Sequence, residues 1–546
     1  MANESGAAAP VAKRGLGQLF ARKSVEQMHA EHASGELKKS LGALNLVLLG
    51  IGCIIGTGIF VLTGRAAAEF AGPGIMISFV ITGVLCALVA LCYSELAAAI
   101  PVSGSAYSYS YASLGEFVAW IMGVLLLLEY GVAASTVAVG WSGYVSSLLH
   151  DFGLTIPAAL TAAPGVEVKD LVTGEMITGI VNLPALLGIL AVTALLTLGV
   201  SESATVNNVV VAIKVTVVIA FIAIGAFYVK PELWSPLIPD QVPAPPPGSD
   251  MSIGGQIWTA LTNVVTGHSR DSAYGVGGLI AAASTIFFAY IGFEAVSTAG
   301  AEAKNPARDM PIGILGSLII CTILYILTCA VLVGIVPYAE LNVPAPIALA
   351  VDRMGLPWFA MLVKVGAFAG LSSVMLVLLY GQTRIFYTMA RDGLLPPIFA
   401  KVNPKTKTPV LNTILVGLVA AGFAGFTGLD FLGDTTNVGT LVAFMLICVT
   451  VVYLRFARPT LNRPFKMPTW LITIIAVLGA SMCLVLVLSL MSEERTRTFF
   501  MWYAGIGIMI YFVYGMWNSK LAKGEYVTGH EPNPDLGATG QQNDPS

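Results

Sequence analysis

The sequence predicts an all-α membrane protein with twelve transmembrane helices, and three observations carry that prediction. Of 546 residues, 56% are hydrophobic and only 11% charged, against the roughly 25% charged residues of ordinary soluble domains. Apolar runs long enough to cross a bilayer, about 20 residues each, recur along most of the chain. The runs are continuously apolar, whereas the strands of a membrane barrel alternate in short segments.

In chain order the expected spans lie near 43–65, 74–98, 116–148, 183–200, 206–229, 276–300, 311–336, 358–382, 410–428, 435–455, 469–491 and 498–517. The first 40 residues are polar and charged and contain no apolar core of a cleaved signal. Within them, LGQLFARKSVEQM (16–28) suits a short amphipathic helix on the inner leaflet, with a disordered tail as the alternative. The 150–182 connection is polar, and 230–275 contains VPAPPPGSD, the composition of an extended surface linker. The chain thus divides into an N-terminal cytoplasmic segment (1–42), a first set of five helices (43–229), an extracytoplasmic loop (230–275), a second set of five (276–457), two further helices (458–517) and a disordered cytoplasmic tail (518–546).

Charge placement orients the chain. With the N-terminus and the even-numbered connections inside, nineteen Lys and Arg lie on the cytoplasmic side and seven outside. The positive-inside bias therefore puts both termini in the cytoplasm. The seven cysteines all fall in apolar runs without CxxC spacing and read as small buried hydrophobes. The five histidines sit in polar or connecting stretches, so no metal site, cofactor or intramembrane histidine relay is expected. HExxH and the P-loop GxxxxGK[ST] are missing, which argues against an enzyme and against ATP-driven transport.

The informative segments are GIGCIIGTGIF (50–60), with four glycines inside an apolar run, and AYIGFE (289–294), in the sixth span. Glycine costs roughly 1 kcal/mol relative to alanine in a helix interior. Non-helical backbone is tolerated in a membrane only where protein or a water-filled cavity surrounds it. A broken helix exposes N–H groups suited to a carboxylate and C=O groups suited to an ammonium. Two such breaks, one in each five-helix set, are the best pointer to a transporter binding site. Close helix packing is the alternative for the first cluster, since Gly52 and Gly56 have small-xxx-small spacing. Because five is odd, the two sets have opposite membrane topology and form inverted repeats if they share a fold.

These segments, with PVSGSAYSYSYASLGE (101–116), FFAYIGFEAVSTAGAEAKNPARDMP (287–311) and YGQTRIFYTMARDGLLP (380–396), resemble the amino acid–polyamine–organocation (APC) superfamily. Within it, the likeness is to bacterial relatives of cationic amino acid transporters, and it runs from about residue 40 to 517. The resemblance implies a leucine-transporter-like fold, two inverted five-helix repeats plus two C-terminal helices, in which a bundle rocks against a scaffold. It implies that the substrate carboxylate meets backbone at Gly56, Thr57 and Gly58. The ammonium would meet carbonyls near Ile54 and around Phe288, Ala289 and Ile291, beside Gly292, with Phe288 as an aromatic gate. Glu294 stands where several relatives carry aspartate.

Charges inside spans are costly and are functional candidates by default. Lys214 lies in VNNVVVAIKVTVVIAFIA with no acid at i±3 or i±4. The resemblance places a lysine there, in proton-coupled members, where sodium sits in sodium-coupled ones. Lys214 is thus the expected proton-coupling residue, with snorkelling to the membrane surface, or pairing with a backbone carbonyl, as the alternative. Glu129, in LLLLEYGVAAS, is a candidate for the side-chain pocket or gate, as is Glu294; a structural hydrogen bond is the alternative for Glu129. Lys364 reads as structural. The function expected is proton-coupled amino acid uptake by alternating access, with exchange as the alternative. The expected partners are the free amino acid and the lipid bilayer, with room for a small accessory membrane protein and none for nucleic acid.

Overall fold

The computed structural model describes residues 16–23, 40–102, 104–170, 172–199, 204–244, 252–406 and 408–524. Among the described residues, nine helices are long and apolar enough to cross a membrane, and three more, Ala43–Ile54, Leu183–Thr197 and Val410–Phe426, are apolar but shorter. Helix α1 (Ala43–Ile54) stops at Ile55, whose ψ of 98° takes the backbone out of the helix. The chain becomes helical again through Gly58–Ala71, partly with π-helical pairing, and turns at Gly72–Pro73 into α2 (Ile75–Ala99). A short buried helix α3 (Ser105–Ser113) leads into the long α4 (Glu116–Asp151). Next come a two-stranded hairpin, β1 (Glu167–Lys169) and β2 (Met176–Thr178), then α5 (Leu183–Thr197) and α6 (Ala204–Gly225).

The second half begins with α7 (Ile253–Thr266), inside the stretch expected to be an extended linker. Helix α8 (Gly275–Ile286) passes through a 3-10 turn at Phe287–Tyr290, breaks, and continues as a 3-10 stretch over Glu294–Glu302. The remaining helices are α9 (Pro306–Ile335), α10 (Pro346–Arg353), α11 (Pro357–Arg391), α12 (Val410–Phe426), α13 (Leu429–Ala457), α14 (Thr469–Leu490) and α15 (Glu494–Ile510). Helix α11 runs nine residues beyond its expected end at 382, because nothing in GQTRIFYTMAR stops it and the first breaker is Gly393.

Packing divides the helices into two groups. Helix α9 packs on α1 and α2, and α2 on α8; α4, α5, α11 and α12 form a second group. Helix α6 lies between them, touching α1 and α9 on one side and α11 on the other, and α13 reaches both through α4 and α2.

The face carrying both described ends of the chain is closed by buried polar contacts. Gln18 donates to Glu116 (3.0 Å) and to the Met516 carbonyl (2.7 Å), and Lys23 pairs with Asp392 at 3.1 Å. Tyr107 also donates to Asp392, at 2.8 Å. Gln18 and Lys23 are each only 3% exposed. Over 16–23 the chain is thus docked on the protein, through Glu116 on α4 and Asp392 just beyond α11, where a membrane-surface helix was expected. Residues 24–28 of that expectation, and the tail beyond 524, lie outside the described residues. On the same face, Arg455 grips Glu95 with two bonds, of 2.7 and 2.6 Å. At the opposite end of α4, Asp151 pairs with Lys364 at 2.6 Å, a structural contact for a buried lysine.

Candidate functional site

The two helix breaks lie against each other. At Gly58 an added Cβ would fall on the backbone and side chain of Ala289, and at Gly292 it would come within 2.8 Å of the Cys53 backbone. Gly292 also has φ +122°, a conformation that side chains of L-residues rarely adopt. Neither position has room for a methyl group, so close approach of the two breaks requires glycine at both.

Each break leaves main-chain groups to satisfy, and the structure shows where several of them go. The Ile54 carbonyl accepts the Tyr325 hydroxyl at 2.8 Å. The Gly52 and Ile55 carbonyls accept the Lys214 ammonium at 2.7 and 3.3 Å. A cation at the C-terminal end of a helix meets the negative end of its dipole, so Lys214 is bound to the interruption of α1. The lysine is fully buried, and its stem packs at Gly370 of α11. It therefore reaches from α6, between the two helix groups, into the break of one group while lying against the other. In the second break, the Gly292 N–H is held by Glu294 Oε2 at 2.8 Å. Asn437 of α13 caps the Ser284 and Thr285 carbonyls near the end of α8, at 2.8 and 3.1 Å.

A cavity sits at this junction. From the first break it is lined by Cys53, Ile54, Gly56, Thr57 and Gly58; from the second by Phe288, Ile291, Gly292, Glu294 and Ala295. Tyr130, Ala133 and Val137 of α4, with Val374, Val377 and Leu378 of α11, close the other side. The cavity thus lies between the two helix groups. Its room for water centres is about 30 Å³, and one water needs roughly 10–15 Å³ on that measure. That is room for about two or three waters.

Of the residues singled out from sequence, Ile54, Gly56, Thr57, Gly58, Phe288, Ile291, Gly292 and Glu294 line the cavity. Ala289 stands behind it, against Gly58. Lys214 is outside the lining and acts on the backbone that forms it. Glu129 is also outside the lining; it is 1% exposed, and neither carboxylate oxygen has a hydrogen-bond partner among the described residues. Sequence reasoning missed the α4 and α11 contributions and the Tyr325 contact. A signal for the α4 wall existed, since Ala133 and Val137 follow Glu129 at i+4 and i+8 on one helix face. The α11 residues are apolar positions in an apolar helix and carried none.

The amino acid permease family matches residues 41–513. The chain belongs to this family. The resemblance carried by the glycine and YIGFE motifs is thereby borne out. The permease is 44% identical over 508 residues to the methylthioribose transporter of Bacillus subtilis (strain 168), covering 93% of this chain and 100% of that one. It is equally 44% identical over 508 residues to the branched-chain amino acid permease BcaP of the same organism, covering 92% and 99%. The vacuolar cationic amino acid transporter 4 of Arabidopsis thaliana is 36% identical over 450 residues, 81% of this chain and 68% of the plant protein. The permease is a multi-pass membrane protein and a transporter, not an enzyme.

Proposed function

We propose that the permease is a proton-coupled amino acid symporter of the bacterial plasma membrane, with both termini cytoplasmic. In this reading twelve spans form two inverted five-helix repeats, 43–229 and 276–457, with two further helices over 458–517. The carrying observation is the pair of opposed helix breaks around one cavity, with the Lys214 ammonium on the carbonyls that end α1. Main-chain N–H groups around Gly56, Thr57 and Gly58 take the substrate carboxylate, and carbonyls at Ile54 and around Phe288, Ala289 and Ile291 take the ammonium. Phe288 covers the bound substrate.

Lys214 couples the proton because its charged form steadies the α1 break. When it releases its proton, the hold on the Gly52 and Ile55 carbonyls weakens and α1, the inner half of the broken helix, is free to swing. The remaining lining supports a small neutral or branched-chain substrate over a cationic one: Ala133, Val137, Val374, Val377 and Leu378 offer an apolar wall. Glu294 is engaged by the Gly292 N–H. The name of the branched-chain relative fits this choice. A second reading, exchange of one amino acid for another, is favoured by no observation specific to it, and counterflow distinguishes the two.

The test is uptake by proteoliposomes under an imposed pH gradient, inside alkaline. Wild type is expected to accumulate a neutral amino acid without internal substrate, and Lys214→Ala to lose gradient-driven accumulation. Full accumulation by Lys214→Ala would remove proton coupling through this lysine. Uptake that requires internal substrate in wild type would favour exchange.

A further inference from the structure

The long connection before α8 holds a helix that the transport reading leaves without a role. Helix α7 is well formed: Ser252 caps its start by accepting the Gly255 N–H at 3.1 Å, and Gly267 ends it with φ +80°. No side chain in MSIGGQIWTALTNVVTG (251–267) is charged. The helix packs on α8 and α14, at the face opposite the chain ends: Ser269, just beyond it, bonds Ser489 at the end of α14 at 2.7 Å.

Its surface has three faces. Ala260 and Val264 are buried against the protein. At about 100° per residue, Ile257, Leu261, Val265 and Trp258 fall in an adjoining arc of roughly 100°, and all four are exposed, Trp258 by 74% and Val265 by 73%. Thr259, Thr262 and Thr266 occupy the remaining side; Thr262 and Thr266 each return their hydroxyl to the carbonyl four residues earlier, at 2.9 Å. A helix with one flank on protein, the next apolar and the third polar fits the edge of a membrane protein where lipid meets water. Helix α14, on which α7 packs, also carries exposed apolar residues, Val477, Leu478 and Leu484. Tryptophan is enriched at that level of the bilayer.

We propose that α7 lies in the outer-leaflet interface, its Ile257–Leu261–Val265–Trp258 flank resting among the upper acyl chains of zwitterionic lipid. Such helices sit about 5–10 Å into the headgroup and acyl boundary. Lacking charge, α7 binds by apolar burial alone and needs no anionic lipid. The link that follows it carries Arg270, which pairs with Asp434 and donates to Thr285 on α8 at 3.1 Å. The membrane surface thereby sets the height of the outer half of the second broken helix. The inference goes beyond the proposed transport cycle and uses only its orientation in the membrane.

The experiment places spin labels on the full-length protein in phosphatidylcholine nanodiscs. One set replaces the flank (Ile257→Cys, Leu261→Cys, Val265→Cys), and the other the polar side (Thr259→Cys, Thr262→Cys, Thr266→Cys); wild type carried through the same labelling serves as the blank. Flank labels are expected to collide more with oxygen than with a water-soluble nickel chelate, and polar-side labels the reverse. Equal nickel access for both sets would mean that the flank faces water, and shielding of the flank from both would mean that protein, such as a second copy, covers it; either overturns the proposal. Native tryptophan supplies a second readout that needs no cysteine. Lipid brominated on upper acyl carbons is expected to quench wild type more than Trp258→Phe, and no difference between them overturns the proposal. Neither readout depends on uptake, so failure here is separable from failure of the transport reading.

Discussion

Gly58 marks the point where one missing methyl group decides whether the site exists. Gly58→Ala drives a Cβ into Ala289, and overpacking a close contact costs about 1–3 kcal/mol. The expected result is a lower unfolding midpoint of the purified protein together with loss of uptake, because the two breaks must part. Tyr325 offers a milder probe. Tyr325→Phe keeps the ring and strands the Ile54 carbonyl, which accepts its hydroxyl at 2.8 Å; an unsatisfied buried acceptor costs about 1–3 kcal/mol. Weaker substrate binding with the fold retained is the expected outcome, read as a smaller substrate-induced thermal shift, and unchanged binding would count against a role for this carbonyl. These residues also bound what the sequence could tell. The glycines were legible because glycine inside an apolar run is costly and needs a reason. Lys214 and Glu294 were legible because charge in a membrane does. Tyr325, Val374 and Val377 were not, because a tyrosine or valine in an apolar helix looks the same whether it faces a neighbouring helix or a substrate.

Among elements, the docked segment 16–23 makes the sharpest prediction. Lys23 and Asp392 form an ion pair that is 4% and 3% exposed, and breaking such a pair costs about 3–5 kcal/mol if the remaining charge stays buried. A short segment has a cheaper response, which is to undock. Asp392→Ala is therefore expected to expose residues 16–23 to added protease and to lower the unfolding midpoint. Glu340→Ala is the control, since its pair with Arg353 is 46% and 54% exposed and exposed pairs contribute about 0–1 kcal/mol. Equal effects of the two substitutions would refute a closing role for the segment. The contrast with the sequence expectation has a simple cause: LGQLFARKSVEQM has the periodicity of a surface helix, and pattern alone does not reveal that Glu116 and Asp392 wait beneath it. Helix α7 was hidden for a related reason, because the neighbouring prolines set the reading of the whole 230–275 stretch.

For the molecule as a whole, two helix groups with the cavity between them are the arrangement that alternating access requires, and α6 with Lys214 is the element both groups touch. A ligand that binds only the folded protein stabilises it by about 2.7 kcal/mol at one hundred times its Kd. A screen of amino acids by thermal unfolding is expected to select small neutral or branched apolar side chains and to pass over lysine and arginine. Selection of the cationic ones would move the side-chain contact from the apolar wall to Glu294 or Glu129. The helical membrane class was legible because bilayer thickness imposes a length on every crossing. The grouping of helices was not, since lipid and protein interior demand the same apolar surface from a helix.

Leu41 donates its N–H to the Glu302 carbonyl at 3.1 Å, and its own carbonyl accepts the Lys304 N–H at 2.8 Å. On the face that carries the chain ends, the arms of the two broken helices are thus stitched by peptide groups, which every amino acid but proline supplies in full. Mutation can rewrite the side chains on both arms and leave this seam intact. Cargo preference is then able to drift through the lining while the two arms stay joined, and proline at 41 or 304 is the replacement expected to let them separate.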